Sequence, residues 1–409
     1  MVWLNPHSDA SAATVGLGHD MTARTTRDER SRQGFVTTAR AHMYGPIARA
    51  MKTTYERKVK PALTAKARRE PKSDLEVHRA IKHETVFKFY SRYRNAVQGL
   101  VYRSVIPPIE RDLPDLIARA KSLAQDTTRA AGTLTLNPKF QVPPYTGGLD
   151  VHLMPGNYHT DHVADDVAQG AIYEHGWVVF IRSIIGRIDA ITNGVSRFVH
   201  ARYPDFRPRK ILDLGCTTGI HTLPWKETFP DAEVHGADVA APCLRFGHAR
   251  AQSLGVPIHF HQMDGSATTF ADASFDLVTS CMVLHEMPLA RVRALLKEAR
   301  RLLRPGGLML HYELPPSKYM DPYSDFFLNW DSYYNKEPFY RAFRGADPMK
   351  EVRAAGFDKD DYVQFVVPST RHFGEHAPTE ALHQSTDDTP ALLQKYLGGV
   401  RWFCFGAWR

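Results

Sequence analysis

Four titratable side chains punctuate residues 210–290, each at or just past the end of a short apolar run: Asp213, Asp238, Asp264 and His285. Asp213 belongs to Ile211-Leu212-Asp213-Leu214-Gly215-Cys216-Thr217-Thr218-Gly219. This stretch reads as an apolar strand, a tight glycine turn and a helix predicted to start at about Gly219. Gly215 and Gly219 supply a bend and a close backbone approach that side chains would block. A helix start presents unpaired N–H groups to whatever lies over the turn. Ligands of open α/β sheets bind there, outside the carboxyl ends of the strands. Asp238, followed by Val239, ends the next strand-like run, where a carboxylate can accept from both hydroxyls of a ribose. Asp264-Gly265-Ser266 stands past the third run, and Ser280-Cys281-Met282-Val283-Leu284-His285-Glu286 closes the fourth. The imidazole of His285 titrates near neutral pH and suits proton transfer.

The spacing departs from the dinucleotide fingerprint G-x-G-x-x-G, because Thr217 stands where the middle glycine would be. The pattern D-x-G-C-x-x-G instead resembles motif I of the class I S-adenosylmethionine (SAM) dependent methyltransferases, of the small-molecule, type 11-like kind. The resemblance covers about residues 205–315 and includes the Arg304-Pro305-Gly306-Gly307 turn. It implies a SAM site formed by Asp213, Gly215, Cys216, Thr217, Gly219, Asp238, Val239, Asp264, Gly265, Ser280 and Cys281. Within it, Asp238 would hold the ribose and Asp264 the adenine amine, while Ser280 and Cys281 would wall the methyl side. Asp264 is equally suited to capping a helix. The reaction implied is methyl transfer from SAM to an O, C, N or S atom of a small molecule, for which the protein aligns the acceptor and excludes water. His285 resembles the base in the Leu-His-Asp-Trp segment of aromatic O-methyltransferases, although this chain reads Leu-His-Glu-Met. A buried structural histidine is the other reading of His285. Glu286 is placed to orient it or to bind a cation.

These residues need strands and helices in alternation, and the chain supplies them. Strands are predicted at Lys210–Leu214, Glu233–Ala237, Ile258–His261, Phe275–Ser280, Gly307–Tyr312, Tyr362–Val367 and Val400–Trp408. Between them lie an amphipathic helix over Leu289–Leu303 and another at Met349–Ala355. Upstream, Ile172, Phe180, Ile184, Ile188, Ile191 and Val195 make a helical stripe over about 171–200. The expected fold is α/β: a doubly wound, seven-stranded, mainly parallel sheet with an antiparallel last strand and an N-terminal helical region. The expected organisation is a mobile arm over 1–34, a helical region over 35–131 broken at Pro107-Pro108, a lid loop over 132–170, and the SAM domain over 171–409. An aromatic insertion interrupts that domain at 316–345.

The lid loop carries Tyr158, His152, His159, His162, Asp161, Asp165 and Asp166. Its spacing matches no zinc pattern, and no metal is expected. Tyr158 and His159 are expected to orient the acceptor and, with His285, to line one cavity roofed by the lid and by the insertion from Tyr319 to Tyr340.

Of 409 residues, 43% are apolar and 23% charged, as in globular proteins. The net charge of +8 is concentrated in residues 1–130, with roughly 24 Lys/Arg against about 13 Asp/Glu. The aromatics there sit at core spacing, so nucleic acid is not the expected partner. The chain also lacks the [DNS]-P-P-[YF] and Pro-Cys motifs of base methylation after the fourth run. An RNA methyltransferase using the basic region, or a non-catalytic SAM-binding scaffold, remains the alternative. No membrane span or secretory signal is expected. Four cysteines without C-x-x-C pairing fit reduced thiols in a cytoplasmic monomer or homodimer.

Overall fold

The computed structural model describes residues 18–126, 128, 132–182 and 186–409. The runs rich in Ile, Leu, Val and Phe assemble into one sheet of eight strands: β1 Leu134–Thr135, β2 Lys210–Leu214, β3 Glu233–Asp238, β4 His259–Gln262, β5 Phe275–Cys281, β6 Leu303–Glu313, β7 Tyr362–Pro368 and β8 Arg401–Trp408. Their order is β1-β4-β3-β2-β5-β6-β8-β7. All pairings are parallel except those of β8, which runs antiparallel to β6 and β7. The eighth strand, β1, comes from the expected lid loop. It is two residues long and adds to the free edge of β4, where it has too few residues to show a periodic signal.

Alternation along the strands sends side chains to two cores. Ile211 and Leu277 face one, with Trp225 and Phe365. Leu212, Leu214 and Val278 face the other, where the helix Leu289–Leu302 buries Val292, Leu295, Leu296, Ala299 and Leu302 at helical spacing. The parallel register places the ends of β2, β3, β4 and β5 along one edge, with Asp213 beside Gly236 and Thr279.

The N-terminal region differs from expectation in three ways. Residues 18–34 are ordered: Met21 is buried, His19 bonds Glu174 at 2.5 Å, and Thr26 and Glu29 form a capping box that opens the helix Arg27–His42. The remainder of the expected arm, residues 1–17, lies outside the described residues. The helix Thr85–Gln125 runs without a break through Pro107, Pro108 and Pro114. Pro108 has no N–H for the carbonyl of Ser104, and Gln33 replaces it by donating its side-chain amide at 3.1 Å. Tertiary packing thus repairs the break that local chemistry predicts. The expected helix over 171–200 is two, Ala168–Ile181 and Ala190–Arg202. Ile188, Ile191 and Val195 of its stripe are core, and Ile184 lies outside the described residues.

Most of the aromatic insertion joins layers rather than roofing the sheet edge. Tyr323, Phe326 and Phe327 of the helix Pro322–Tyr334 pack with Tyr55, Phe87 and Tyr90 of the N-terminal helices. Buried Arg94 pairs with Asp331 at 2.5 Å across the same contact. Phe87 and Tyr90 are core, whereas Phe89 is exposed and stacks on Tyr93. All four cysteines are free and buried. Among the described residues, no helix is long and apolar enough to cross a membrane.

Candidate active site

The turn after β2 is held in a conformation that few residues adopt. Gly215, Thr217 and Gly219 have φ of 76°, 49° and 72°. A Cβ on Gly215 would lie 2.5 Å from Val283 Cγ2, so only glycine fits there. The helix begins at Leu223 instead of Gly219, because a turn in which Gly219 N–H reaches Cys216 O intervenes. Asp238 closes the turn from β3 by accepting from the N–H groups of Thr217 and Ala240, both at 2.9 Å. Burial raises its pKa.

Over this edge opens a cavity of about 490 Å³. Gly215, Thr217, Asp238, Val239, Asp264, Gly265 and Cys281 line it, together with His285, Tyr158 and His159. Four of the expected site residues do not. Asp213 is buried beneath the turn, where it accepts from the Thr222 hydroxyl at 2.6 Å. Cys216 packs its sulfur against Gly236, and Gly219 packs against the Phe260 ring. Ser280 turns into the sheet to bond His311 Nδ1 at 2.7 Å. Asp213, Cys216 and Gly219 support the turn from below, and Ser280 ties β5 to β6. Asp213 Oδ1 is buried with no protein partner, and burial pushes the group up to about 7. A cradle in which a Cβ at Gly215 would collide, with the Asp238 carboxylate at the next strand end, fits a cofactor that carries a ribose.

His285 stands in a short turn, Leu284–Glu286, just past β5. Its orienting partner is Glu313, at the end of β6: Glu313 Oε2 takes His285 Nδ1 at 2.6 Å, and Oε1 takes the N–H of Leu284 at 2.8 Å. Burial alone would lower the imidazole's pKa. Glu313, reinforced by Glu337 and Glu286, overrides burial and raises it to about 9. Tyr340 meets the ring edge-on at 5.2 Å.

Glu286 therefore does not orient His285. It accepts from Tyr158 OH at 3.0 Å and pairs with His152 Nε2 at 2.9 Å, while His152 Nδ1 reaches Glu337 at 3.2 Å. Burial opposes the charge on His152, and the two glutamates raise it to about 10. His152 has a φ of 58°, and Asn335 O and Gln98 fix its backbone. His159 faces Gly147 with Nδ1 buried and unpartnered, and burial lowers its pKa. His162 N–H bonds Asp166, and Asp161 pairs with Arg245, so the lid's histidines and aspartates disperse to separate partners. Of the insertion, only Glu337, Pro338 and Phe339 line the cavity.

Residues 211–307 match the methyltransferase domain family. Over 109 residues the chain is 38% identical to the demethylmenaquinone methyltransferase of Thermus thermophilus, covering 27% of this chain and 49% of that one. The chain carries a class I SAM-dependent methyltransferase domain. A ubiquinone/menaquinone biosynthesis C-methyltransferase of Cupriavidus metallidurans is 30% identical over 162 residues, 36% of this chain and 66% of the relative. The chain spans about half the length of the first curated relatives it matches. The solved phosphoethanolamine N-methyltransferase 2 of Haemonchus contortus, in complex with SAM, superposes at a TM-score of 0.36 with 16% identity, over 55% of this chain and 53% of that one. The cofactor of the methyltransferase domain is SAM.

Glu313, His152, Glu337 and His221 of this methyltransferase site carry no local motif. Glu313 had a sequence signal as the acid just past the strand expected at Gly307–Tyr312, and His152 as one of the lid-loop histidines.

Proposed function

We propose that this chain transfers a methyl group from SAM to a hydroxyl of a small aromatic acceptor, with His285 as the proton acceptor. The observation that supports this most strongly is the 2.6 Å bond from His285 to Glu313 at the wall of the cavity that Asp238 and Gly215 also line. When bound, SAM supplies a methyl group already activated by its sulfonium. The protein's share is alignment, exclusion of water and removal of the acceptor's proton. Asp238 would hold the ribose hydroxyls. Asp264, with Val239 and Gly265, would hold the adenine. Gly215, Thr217 and Cys281 would border the methionyl chain.

His285 Nδ1 is occupied by Glu313, so Nε2 is the atom that would take the acceptor's proton. Glu313 would stabilise the imidazolium that results. Tyr145, Phe339, Tyr102 and Trp177 give the cavity flat apolar walls for a ring. Glu286, His152 and Tyr158 would orient polar groups on that ring. The lid's Tyr158 and His159 share the cavity with His285, which supports the reading that the lid covers the acceptor. The aromatics of the basic N-terminal helices are largely consumed in packing, which favours a small molecule over RNA as acceptor. We place this activity in the cytoplasm.

The test is incubation with methyl-labelled SAM and a library of phenolic metabolites. His285→Gln should lose about 10²- to 10⁴-fold in turnover, the usual weight of a positioned base, with SAM affinity retained.

A further inference from the structure

The carboxylate at the methionyl end of SAM needs a donor, and the cavity offers few. Among the described residues, no lysine or arginine lines it. On the reading of the SAM site above, adenine and ribose lie by Asp264 and Asp238, at the ends of β4 and β3. The methionyl chain must then run the opposite way along the sheet edge, past β2 toward β5. Cys281, Ile191, Trp177 and His221 line that end. Trp177 already donates its indole N–H to the carbonyl of Ile188 at 2.9 Å. Asn157, the amide on the cavity wall, already donates to the carbonyls of Thr146 and Leu149. His221 is left.

His221 is held as a directed donor would be. Its Nδ1 meets the Thr192 hydroxyl at 3.2 Å, and that hydroxyl meets Tyr312 OH at 2.8 Å. The Trp177 ring stands edge-on to the imidazole at 6.1 Å, which restricts its rotation. Burial pushes His221 down to about 4, so the ring is neutral and carries a single proton. If Tyr312 donates to Thr192 and Thr192 to Nδ1, that proton sits on Nε2, for which no partner occurs among the described residues. The ring lies almost wholly inside the protein, in the cavity wall.

We infer that His221 binds the carboxylate of the methionyl end of SAM through its Nε2–H, with Thr192 and Tyr312 setting the tautomer. This makes the residue two places beyond the glycine turn a recognition group for the amino-acid part of the cofactor. Thr192 is a positioning residue in this arrangement.

Calorimetry with two ligands separates the outcomes. S-adenosylhomocysteine carries the carboxylate, whereas 5′-methylthioadenosine lacks the whole amino-acid end. His221→Ala should weaken S-adenosylhomocysteine by about 10- to 100-fold, the worth of a hydrogen bond to a charged group. The same variant should leave 5′-methylthioadenosine within about twofold, which also reports that the protein is folded. His221→Gln, which keeps an N–H donor, should recover part of the loss. Thr192→Val should weaken S-adenosylhomocysteine selectively and less. An equal loss for both ligands, or no loss for either, would overturn the inference while leaving the SAM reading in place. A wild-type protein that binds neither ligand would overturn both.

Discussion

Glu313, at the end of β6, and His285, in the turn just past the neighbouring parallel strand β5, meet at 2.6 Å, both buried, with the second oxygen of Glu313 anchored on the backbone of Leu284. The carboxylate thus fixes the ring and the turn that carries it. A histidine so held is more basic than usual, and this sets the first prediction.

His285 is raised to about 9, so below that pH it is protonated and unable to accept a proton. Turnover should therefore climb with pH and level off above about 9. In Glu313→Gln the largest raising carboxylate is gone while burial still disfavours the charge, so the inflection should fall well below about 9. The plateau rate should fall about tenfold or more, because the base is weaker and less well aligned. A pH profile that is the same in both proteins would rule out the dyad.

The same pair links stability to pH. A histidine raised in the folded state stabilises fully below its unfolded pKa, and the contribution is lost as pH rises through the folded value. Thermal melts should show wild type losing stability between about 6.5 and about 9. His285→Gln should lack this component.

Asp238→Ala should weaken SAM by tenfold or more, on the order of one or two hydrogen bonds to a charged group. Part of this loss comes from the turn, since Thr217 and Ala240 lose their acceptor. Titration calorimetry showing unchanged affinity would remove the ribose assignment.

On the lid, His159→Ala should lower turnover more than it lowers SAM affinity. Tyr158→Phe removes a donor to Glu286 and should raise the acceptor's KM by about three- to tenfold, the worth of a single hydrogen bond, leaving the Kd for SAM unchanged. Loss of SAM affinity in either variant would assign the lid to the cofactor.

Away from the site, Gln33→Leu strands the carbonyl of Ser104 opposite Pro108. The expected cost is about 1–3 kcal/mol, read as a lower midpoint in urea. A midpoint equal to wild type would mean that the proline-bearing helix holds itself.

The sheet was legible because buried parallel strands read as apolar runs closed by glycines and acids, as Ile211–Gly215 and Phe275–Cys281 show. The turn at Gly215, the carboxylate at Asp238 and the position of His285 followed from the same punctuation. What was missed depends on contacts between distant segments. Gln33 rescues a helix that Pro107-Pro108 alone would end. Thr26 and Glu29 cap a helix inside the expected arm. Tyr323 and Phe326 look like a roof in sequence, but partners such as Tyr55 and Phe87 draw them into a core. Glu286 is adjacent to His285 in sequence yet serves His152, while Glu313 reaches His285 from the next strand.

The central claim is tested most directly by following the labelled methyl group from SAM in the presence of hydroxylated aromatic metabolites, with wild type and His285→Gln side by side. The expected result is an O-methylated small molecule formed together with S-adenosylhomocysteine by wild type, and SAM bound but little product in the variant. Label appearing in RNA instead, or no transfer to any acceptor by a wild-type protein that binds SAM, would contradict it.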